Sequence, residues 1–321
     1  MRSIMQDRYG SPDVLHVAQI ARPAVADGEV LVRVQAAGLD RGVWHLMTGL
    51  PYLGRLAFGI RRPRNPVPGS DLAGTVAAVG PGVTKFSVGD DVFGFGRGSF
   101  AEYAVAREDQ LARKPVSLSF EQAAVVPVSA VTALQGLSDV GRVIKGQRVL
   151  IIGASGGVGT YAVQLAKALG AEVTGVCSTT KLELVRSIGA DHVIDYSRDD
   201  FADGAHQYDL ILDIAGNSTL SRLRRALTPT GTAVITGGEG GGNLTGMHRQ
   251  LGALALSPFV RQRLTMFIAK VRTGDLERLA DLIEAGAVTP SIDRTFSLDH
   301  VPEALRYLEA GNVRGKVAIT I

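Results

Sequence analysis

One cysteine, one tryptophan and no apolar run long enough to cross a bilayer are what this chain of 321 residues has least of. The lone thiol, Cys177, excludes an intrachain disulfide framework and any metal site built from several cysteines, and it suits a reducing compartment. The start, Met1 to Arg8, carries Arg2, Asp7 and Arg8 and lacks the apolar core of a signal peptide. A soluble, cytoplasmic protein without membrane partners is therefore expected. Charge of either sign is also scarce in excess: the net is +3, with no long Lys/Arg run, so nucleic acid is not an expected partner. What is abundant is apolar residue, 45% of the chain, enough for one or two buried cores, and the length favours two domains.

The most informative stretch runs from Val149 to Gly159. A β-branched run, Val149-Leu150-Ile151-Ile152, ends in closely spaced glycines, and Ala162, Val163, Ala166 and Leu169 then recur at helical spacing until Gly170. Val173 to Val176 reads as the next strand. Glycines let the backbone approach a pyrophosphate, and a helix amino terminus offers unpaired N–H donors and a positive dipole end. Ala154 stands where the strict GxGxxG fingerprint has its first glycine, so the βαβ context carries the reading. Ser155, Gly156, Gly157 and Val158 are the candidate phosphate-binding residues.

Strand-like runs at Val173 to Val176, His192 to Asp195, Leu210 to Asp213 and Ala233 to Thr236 alternate with helical segments, which predicts a parallel sheet covered by helices. Leu264 to Ile268 reads as a sixth strand completing a doubly wound sheet. Before residue 123 the texture changes to short alternating strands, Val30 to Val34, Leu72 to Val79 and Ala101 to Val105, punctuated by turn residues such as Asp27-Gly28 and Gly80-Pro81-Gly82. That predicts an antiparallel β domain. A helix at Leu276 to Glu284, a run at Arg294-Thr295-Phe296, a helix at Val301 to Leu308 and a strand at Lys316 to Ile321 close the chain. The last strand needs a partner, and the simplest is the amino-terminal β domain. The predicted organisation is residues 1–123 with 270–321 as one domain and 124–269 as a dinucleotide-binding domain inserted into it.

Several landmarks then fall into one pattern: Gly69-Ser70-Asp71-Leu72-Ala73-Gly74, Val88-Gly89-Asp90-Asp91-Val92-Phe93-Gly94, Phe100-Ala101-Glu102-Tyr103, Gly153 to Gly159, Ser187-Ile188-Gly189-Ala190-Asp191 and Gly315-Lys316-Val317. With them the chain resembles, end to end, the medium-chain dehydrogenase/reductase superfamily in its zinc-free quinone oxidoreductase-like branch. The resemblance implies an α/β fold in which a doubly wound parallel Rossmann sheet is inserted into a GroES-like antiparallel β catalytic domain, with the cofactor in the cleft between them. Zinc-dependent members use cysteine, histidine and a further cysteine or acid as ligands. Here Asp40 falls at the first cysteine position and Ser70 at the histidine position, so no zinc is expected. Asp40 and Asp71 read as hydrogen-bonded supports rather than cation ligands.

NAD-specific folds place an acid about 20 residues beyond the glycines to hold the ribose hydroxyls. Here that place reads Cys177-Ser178-Thr179-Thr180-Lys181. Without an acid to repel a 2′-phosphate, Ser178 as hydrogen-bond donor and Lys181 as point charge favour NADP(H), and the resemblance adds Tyr196. Lys181 also reads simply as a solvated residue in a helical first turn. The resemblance further puts Thr132 beside the carboxamide, with backbone from Ala215 to Asn217 and Gly237 to Gly238 over the nicotinamide. Cys177 reads as packing.

Lacking a Lewis acid, the protein is expected to reduce quinones or α,β-unsaturated carbonyls, in which hydride addition spreads charge onto an oxygen that hydrogen-bond donors can stabilise. Tyr52 is the first candidate donor and His45 the second. Asp40, at the displaced ligand position, completes the candidate catalytic set. The segment Tyr52 to Pro68, with Arg55, Arg61, Arg62 and Arg64, reads as an extended loop over the site. An acyl-CoA enoyl reductase, or an NADPH-binding regulatory or RNA-binding protein, is the alternative. An apolar edge at Leu264 to Ile268 and the resemblance predict a homodimer.

Overall fold

Strands β1 (Arg2–Gln6) and β2 (Leu15–Gln19) pair antiparallel into a two-stranded ribbon. The chain then enters the long β3 (Glu29–Leu39), the helices α1 (Arg41–Thr48) and α2 (Arg55–Phe58), and strands β4 (Asp71–Val79), β5 (Asp91–Arg97) and β6 (Tyr103–Arg113). β3 pairs with both β4 and β6, and β5 bridges β4 to β6, so these four antiparallel strands close on themselves. Inward residues Val30, Val32, Val34, Leu72, Val76, Val92 and Leu111 fill the interior. Closure pairs each of these four strands on both sides.

α3 (Phe120–Ala124) starts on a capping box of Ser119 and Gln122, and α4 (Pro127–Leu134) continues into a π-helical stretch, Gln135–Val140. There follow β7 (Arg148–Ile152), α5 (Gly157–Ala168), β8 (Glu172–Cys177), α6 (Leu182–Ser187), β9 (His192–Asp195), β10 (Tyr208–Asp213), α7 (Leu220–Ala226), β11 (Leu227–Ile235), α8 (His248–Leu256) and β12 (Arg263–Met266). All six strands pair parallel in the order β12-β11-β10-β7-β8-β9. The order reverses between β7 and β10, the place where doubly wound sheets bind ligands beyond the strands' carboxyl ends. β7 is buried on both faces from Val149 to Ile152, which is why it reads as a continuous apolar run.

The chain closes with α9 (Thr273–Glu284), β13 (Ile292–Ser297), α10 (Val301–Glu309) and β14 (Lys316–Thr320). β14 pairs antiparallel with β3, Val317 opposite Leu39, and parallel with β13. α10 turns Val301, Ala304 and Leu305 inward onto a core with Ile4, Leu39, Val43, Met47 and Phe100.

The computed structural model describes residues 1–237, 242 and 246–321. They form two units: Met1–Val131 with Lys270–Gly286 and Pro290–Ile321, and Thr132–Ala269 with Ala287–Thr289. Three elements differ from the sequence expectation. β3 and β6 run well past Val34 and Val105, because register shifts in their pairings break the alternation that marks a strand. β11 begins at Leu227, through a Thr-Pro-Thr-Gly stretch that reads as a turn. Tyr52 to Pro68 is not all loop: a 3₁₀ turn, Tyr52–Gly54, leads into α2, whose end at Gly59 has φ +123° and is pinned by the Tyr9 hydroxyl donating to the Gly59 carbonyl.

Candidate active site

The turn between β7 and α5 is built by glycine. Gly153 has φ +91°, and the N–H groups of Gly153 and Ala154 both donate to the Val176 carbonyl, at 3.1 and 3.0 Å, tying the turn to β8. Gly156 caps α5, which opens with Gly157 and Val158. A Cβ on Gly159 would lie 2.1 Å from the Gly153 carbonyl oxygen, so the helix starts this tightly only with glycine there. The N–H groups of a first turn have no acceptor within their own helix, and together with the dipole they form an anion cradle. Ser155 lies buried at the head of this cradle.

At the end of β8, Ser178 is half-buried and leads into a single 3₁₀ turn, Thr179–Lys181. Tyr196, just past β9, is exposed. The sequence reading finds no acid here, but the structure brings one across from the neighbouring strand: parallel pairing sets Asp195 opposite Cys177. Its carboxylate accepts from the Thr179 hydroxyl and from the Ser197 N–H and hydroxyl, at 3.0 and 2.7 Å. These hydrogen bonds hold it below the usual carboxylate range. Burial first, and the Asp195 charge second, push the Cys177 thiol up to about 11. That is an inert packing thiol.

Beyond β10 and β11, a second acid sequence reasoning missed organises the loops. Asp213 is fully buried; its Oδ1 accepts from the Gly216 N–H at 3.2 Å and its Oδ2 from Arg249 on α8. Burial pushes its carboxyl up, opposed by the Arg249 charge. The Asp213 carbonyl takes the Thr236 and Gly237 N–H groups, and Gln250 donates to the Gly237 carbonyl at 3.0 Å. A Cβ on Gly237 would sit 1.9 Å from the Ile214 carbonyl oxygen, so the two loops touch only because this residue is glycine. Asn217 is exposed at the end of the first loop. Gly238 lies outside the described residues. Thr132 lies within α4, half-buried.

In the other unit, Asp40 is the N-cap of α1, its Oδ1 accepting from the Val43 N–H at 3.1 Å. His45, in the last turn of α1, is 2.8 Å from the Leu50 carbonyl through Nδ1. A carbonyl only accepts, so Nδ1 carries a proton and Nε2 is an acceptor in the neutral ring. Tyr52 is half exposed, with the Arg55 guanidinium 4.7 Å from its ring centroid. Arg55 also lies over Tyr9 and donates to the Gly49 carbonyl at 2.9 Å. The structure thus groups His45 and Tyr52 on one short segment and sets Asp40 at the opposite end of α1.

Asp71 is the residue whose neighbours change its reading most. It is fully buried, both its oxygens lie 3.2 Å from the Val128 N–H, and the buried Lys316 ammonium stands 4.0 Å away while donating to the Ser129 hydroxyl at 3.0 Å. Burial first, then the Asp40 charge, raise its carboxyl well above the usual range, against Lys316 and the Val128 N–H. Among the described residues no group of three or more His, Cys, Asp and Glu converges in metal-binding geometry, and no helix is long and apolar enough to cross a membrane.

A closed antiparallel unit joined to a doubly wound sheet with a glycine cradle at its switch point defines a dinucleotide-binding protein of two-unit architecture. Residues 26–116 match the alcohol dehydrogenase GroES-like domain and residues 188–319 the zinc-binding dehydrogenase family. The NAD(P)H oxidoreductase RTN4IP1, mitochondrial, of Mus musculus is 34% identical, over 98% of this chain and 88% of that protein. The 2-methylene-furan-3-one reductase of Solanum lycopersicum is 33% identical over 97% and 76%. The Escherichia coli quinone oxidoreductase complexed with NADPH superposes with a TM-score of 0.85 at 27% identity, over 100% of both chains. The chain belongs to the medium-chain dehydrogenase/reductase superfamily, in its quinone oxidoreductase-like branch.

Proposed function

We propose that this protein is a zinc-independent, NADPH-dependent reductase of quinones and α,β-unsaturated carbonyls. The observation that carries the reading is the Gly153 to Gly159 cradle, where a side chain on Gly159 would collide with the Gly153 carbonyl. Ser155, Gly156, Gly157 and Val158 would hold the pyrophosphate, Ser178, Lys181 and Tyr196 the 2′-phosphate, and Thr132, Asn217 and Gly237 the nicotinamide end. Asp195 keeps its negative charge here, with its oxygens turned to Thr179 and Ser197, so Ser178 and Lys181 would have to outweigh it at the 2′-phosphate. When bound, the cofactor supplies the hydride.

The protein's own part is to stabilise charge that develops on the acceptor oxygen. The Tyr52 phenol would donate its O–H to that oxygen. His45 has Nδ1–H committed to the Leu50 carbonyl, so Nε2 is the ring nitrogen left to meet the acceptor. Conjugated acceptors need no stronger electrophile. The zinc ligand positions do not fit a metal: Asp40 is engaged as a helix cap, Ser70 is a poor ligand, and Asp71 already faces a buried ammonium. The exposed edge at β12, with Ile268 beside it, supports a homodimer, and the lone buried thiol supports a cytoplasmic setting.

The test is NADPH oxidation with an enone, a 1,4-quinone and a simple ketone. Turnover is expected with the first two and not the third, and metal analysis should give far less than one zinc per chain. Tyr52→Phe should lower turnover without changing NADPH affinity, by up to the roughly 2.7 to 4 kcal/mol that one oxyanion donor supplies. Inactivity of the wild type across the panel, or loss of activity on removal of stoichiometric zinc, would overturn the reading.

A further inference from the structure

Arg249 is a cation in an unusual position. It is nine-tenths buried, it spends only Nη2 on Asp213, and its Nε and Nη1 have no hydrogen-bond partner among the described residues. A guanidinium carries five N–H bonds, so three of them face no acceptor, a condition that buried polar groups rarely tolerate. It also lines a recess of about 410 Å³ with Asn217, Ser218, Thr219, Leu220 and His248. The recess opens at the carboxyl end of β10 and the start of the nine-residue helix α8, where the helix dipole adds positive potential. Asp213 offsets much of the Arg249 charge, one oxygen taking Nη2 and the other the Gly216 N–H, so what the recess offers an oxyanion is the N–H groups of Nε and Nη1 together with the helix start.

We infer that this recess is an oxyanion subsite, with Arg249 as its anchor, and that it takes a carboxylate or phosphate group. The inference rests on the dinucleotide reading in one respect only. With the cofactor pyrophosphate assigned to the cradle at β7 and its 2′-phosphate to the end of β8, the oxyanion at the end of β10 belongs to a second molecule, an acidic acceptor. Arg249 is then a specificity-determining residue for acceptors bearing a negative group. It also fixes the loop carrying Gly216 and Asn217 through Asp213, so an oxyanion here is sensed at the loop assigned to the nicotinamide end.

The experiment is calorimetric titration of inorganic phosphate and of maleate into the intact protein, with and without saturating NADP+. Wild type is compared with Arg249→Lys, which keeps a cation beside Asp213, and with the double variant Arg249→Met/Asp213→Asn, which removes both charges together. Circular dichroism and thermal melts identify any variant that fails to fold. Saturable binding of one probe per chain is expected in wild type with NADP+ present, weakened at least tenfold in Arg249→Lys and abolished in the double variant. Absence of saturable binding in wild type, or unchanged binding in Arg249→Lys, overturns the subsite. If NADP+ displaces the probe and Arg249→Lys weakens NADP+ equally, the oxyanion is the cofactor's own and the assignment to an acceptor falls. Probe binding without NADPH turnover on any acceptor would sink the reductase reading and leave the subsite standing. Turnover without probe binding would do the reverse.

Discussion

Breaking the Asp71–Lys316 pair on one side only should do more damage than removing it whole. Both groups are buried, the ammonium and carboxylate stand 4.0 Å apart, and their remaining partners are the Val128 N–H and the Ser129 hydroxyl. At that distance and an effective dielectric of 20 the attraction is about 4 kcal/mol, and removing one partner of a buried pair typically costs about 3 to 5 kcal/mol. Lys316→Met leaves a buried carboxyl; Asp71→Asn leaves a buried ammonium but keeps an acceptor for Val128. Each single variant should lose about 3 kcal/mol or more in urea unfolding, whereas the double variant should lose far less than their sum. A coupling of about 2 kcal/mol or more is expected.

The pH dependence supplies an independent arm. Burial and Asp40 raise the Asp71 carboxyl well above its unfolded value. The folded state therefore binds its proton more tightly than the unfolded chain, and this group's contribution to stability falls as pH climbs from about 4 through the raised folded value. Asp71→Asn should remove that slope, and Lys316→Met should be more damaging at pH 8 than at pH 5, because only the ionised acid needs the ammonium. Additive single losses, within about 0.5 kcal/mol, or a Lys316→Met penalty indifferent to pH would refute the reasoning.

Three further outcomes are expected. Lys181→Ala should weaken NADPH roughly ten- to a hundredfold, the value of one charge-assisted phosphate contact, while leaving NADH nearly unchanged in parallel fluorescence titrations; equal losses would remove its phosphate role. With its thiol pushed up to about 11, Cys177 should be a thiolate in only about one molecule in a thousand at pH 8, so iodoacetamide should label the folded protein far more slowly than the urea-unfolded chain. Light scattering should give a dimer mass that falls when a charge is placed on the β12 edge, for example Thr265→Lys, and a concentration-independent monomer in wild type would end the case for that edge.

What could be read from sequence and what could not separates along one physical line. The turn from Gly153 to Gly159 was legible because its requirement is local: a backbone that crowds its own carbonyls admits only glycine, and the residues that demand this lie within one short segment. The ends of β3 and β6 were not, because a bulge shifts side chains from one face to the other and erases the period on which strand recognition depends. The buried charge pairs were invisible for a stronger reason. Asp213 and Arg249 are 36 residues apart, with nothing in either's neighbourhood to mark a partner, and Asp195 meets the Ser178 loop only because parallel strands align their carboxyl ends.

These illegible groups share a location. Asp195, Asp213 and Arg249 all stand at or just beyond the carboxyl ends of parallel strands, where side chains from distant segments are forced together around whatever is bound. Local sequence supplies the cradle, but the fold decides which charges surround it. The same glycine turn with an apolar residue at position 249 would leave the Asp213 side chain buried with only the Gly216 N–H as partner. The charges at the ends of both β8 and β10 are thus set by long-range pairing, Asp195 against the Ser178 loop and Asp213 against Arg249, and pattern along the chain leaves both unread.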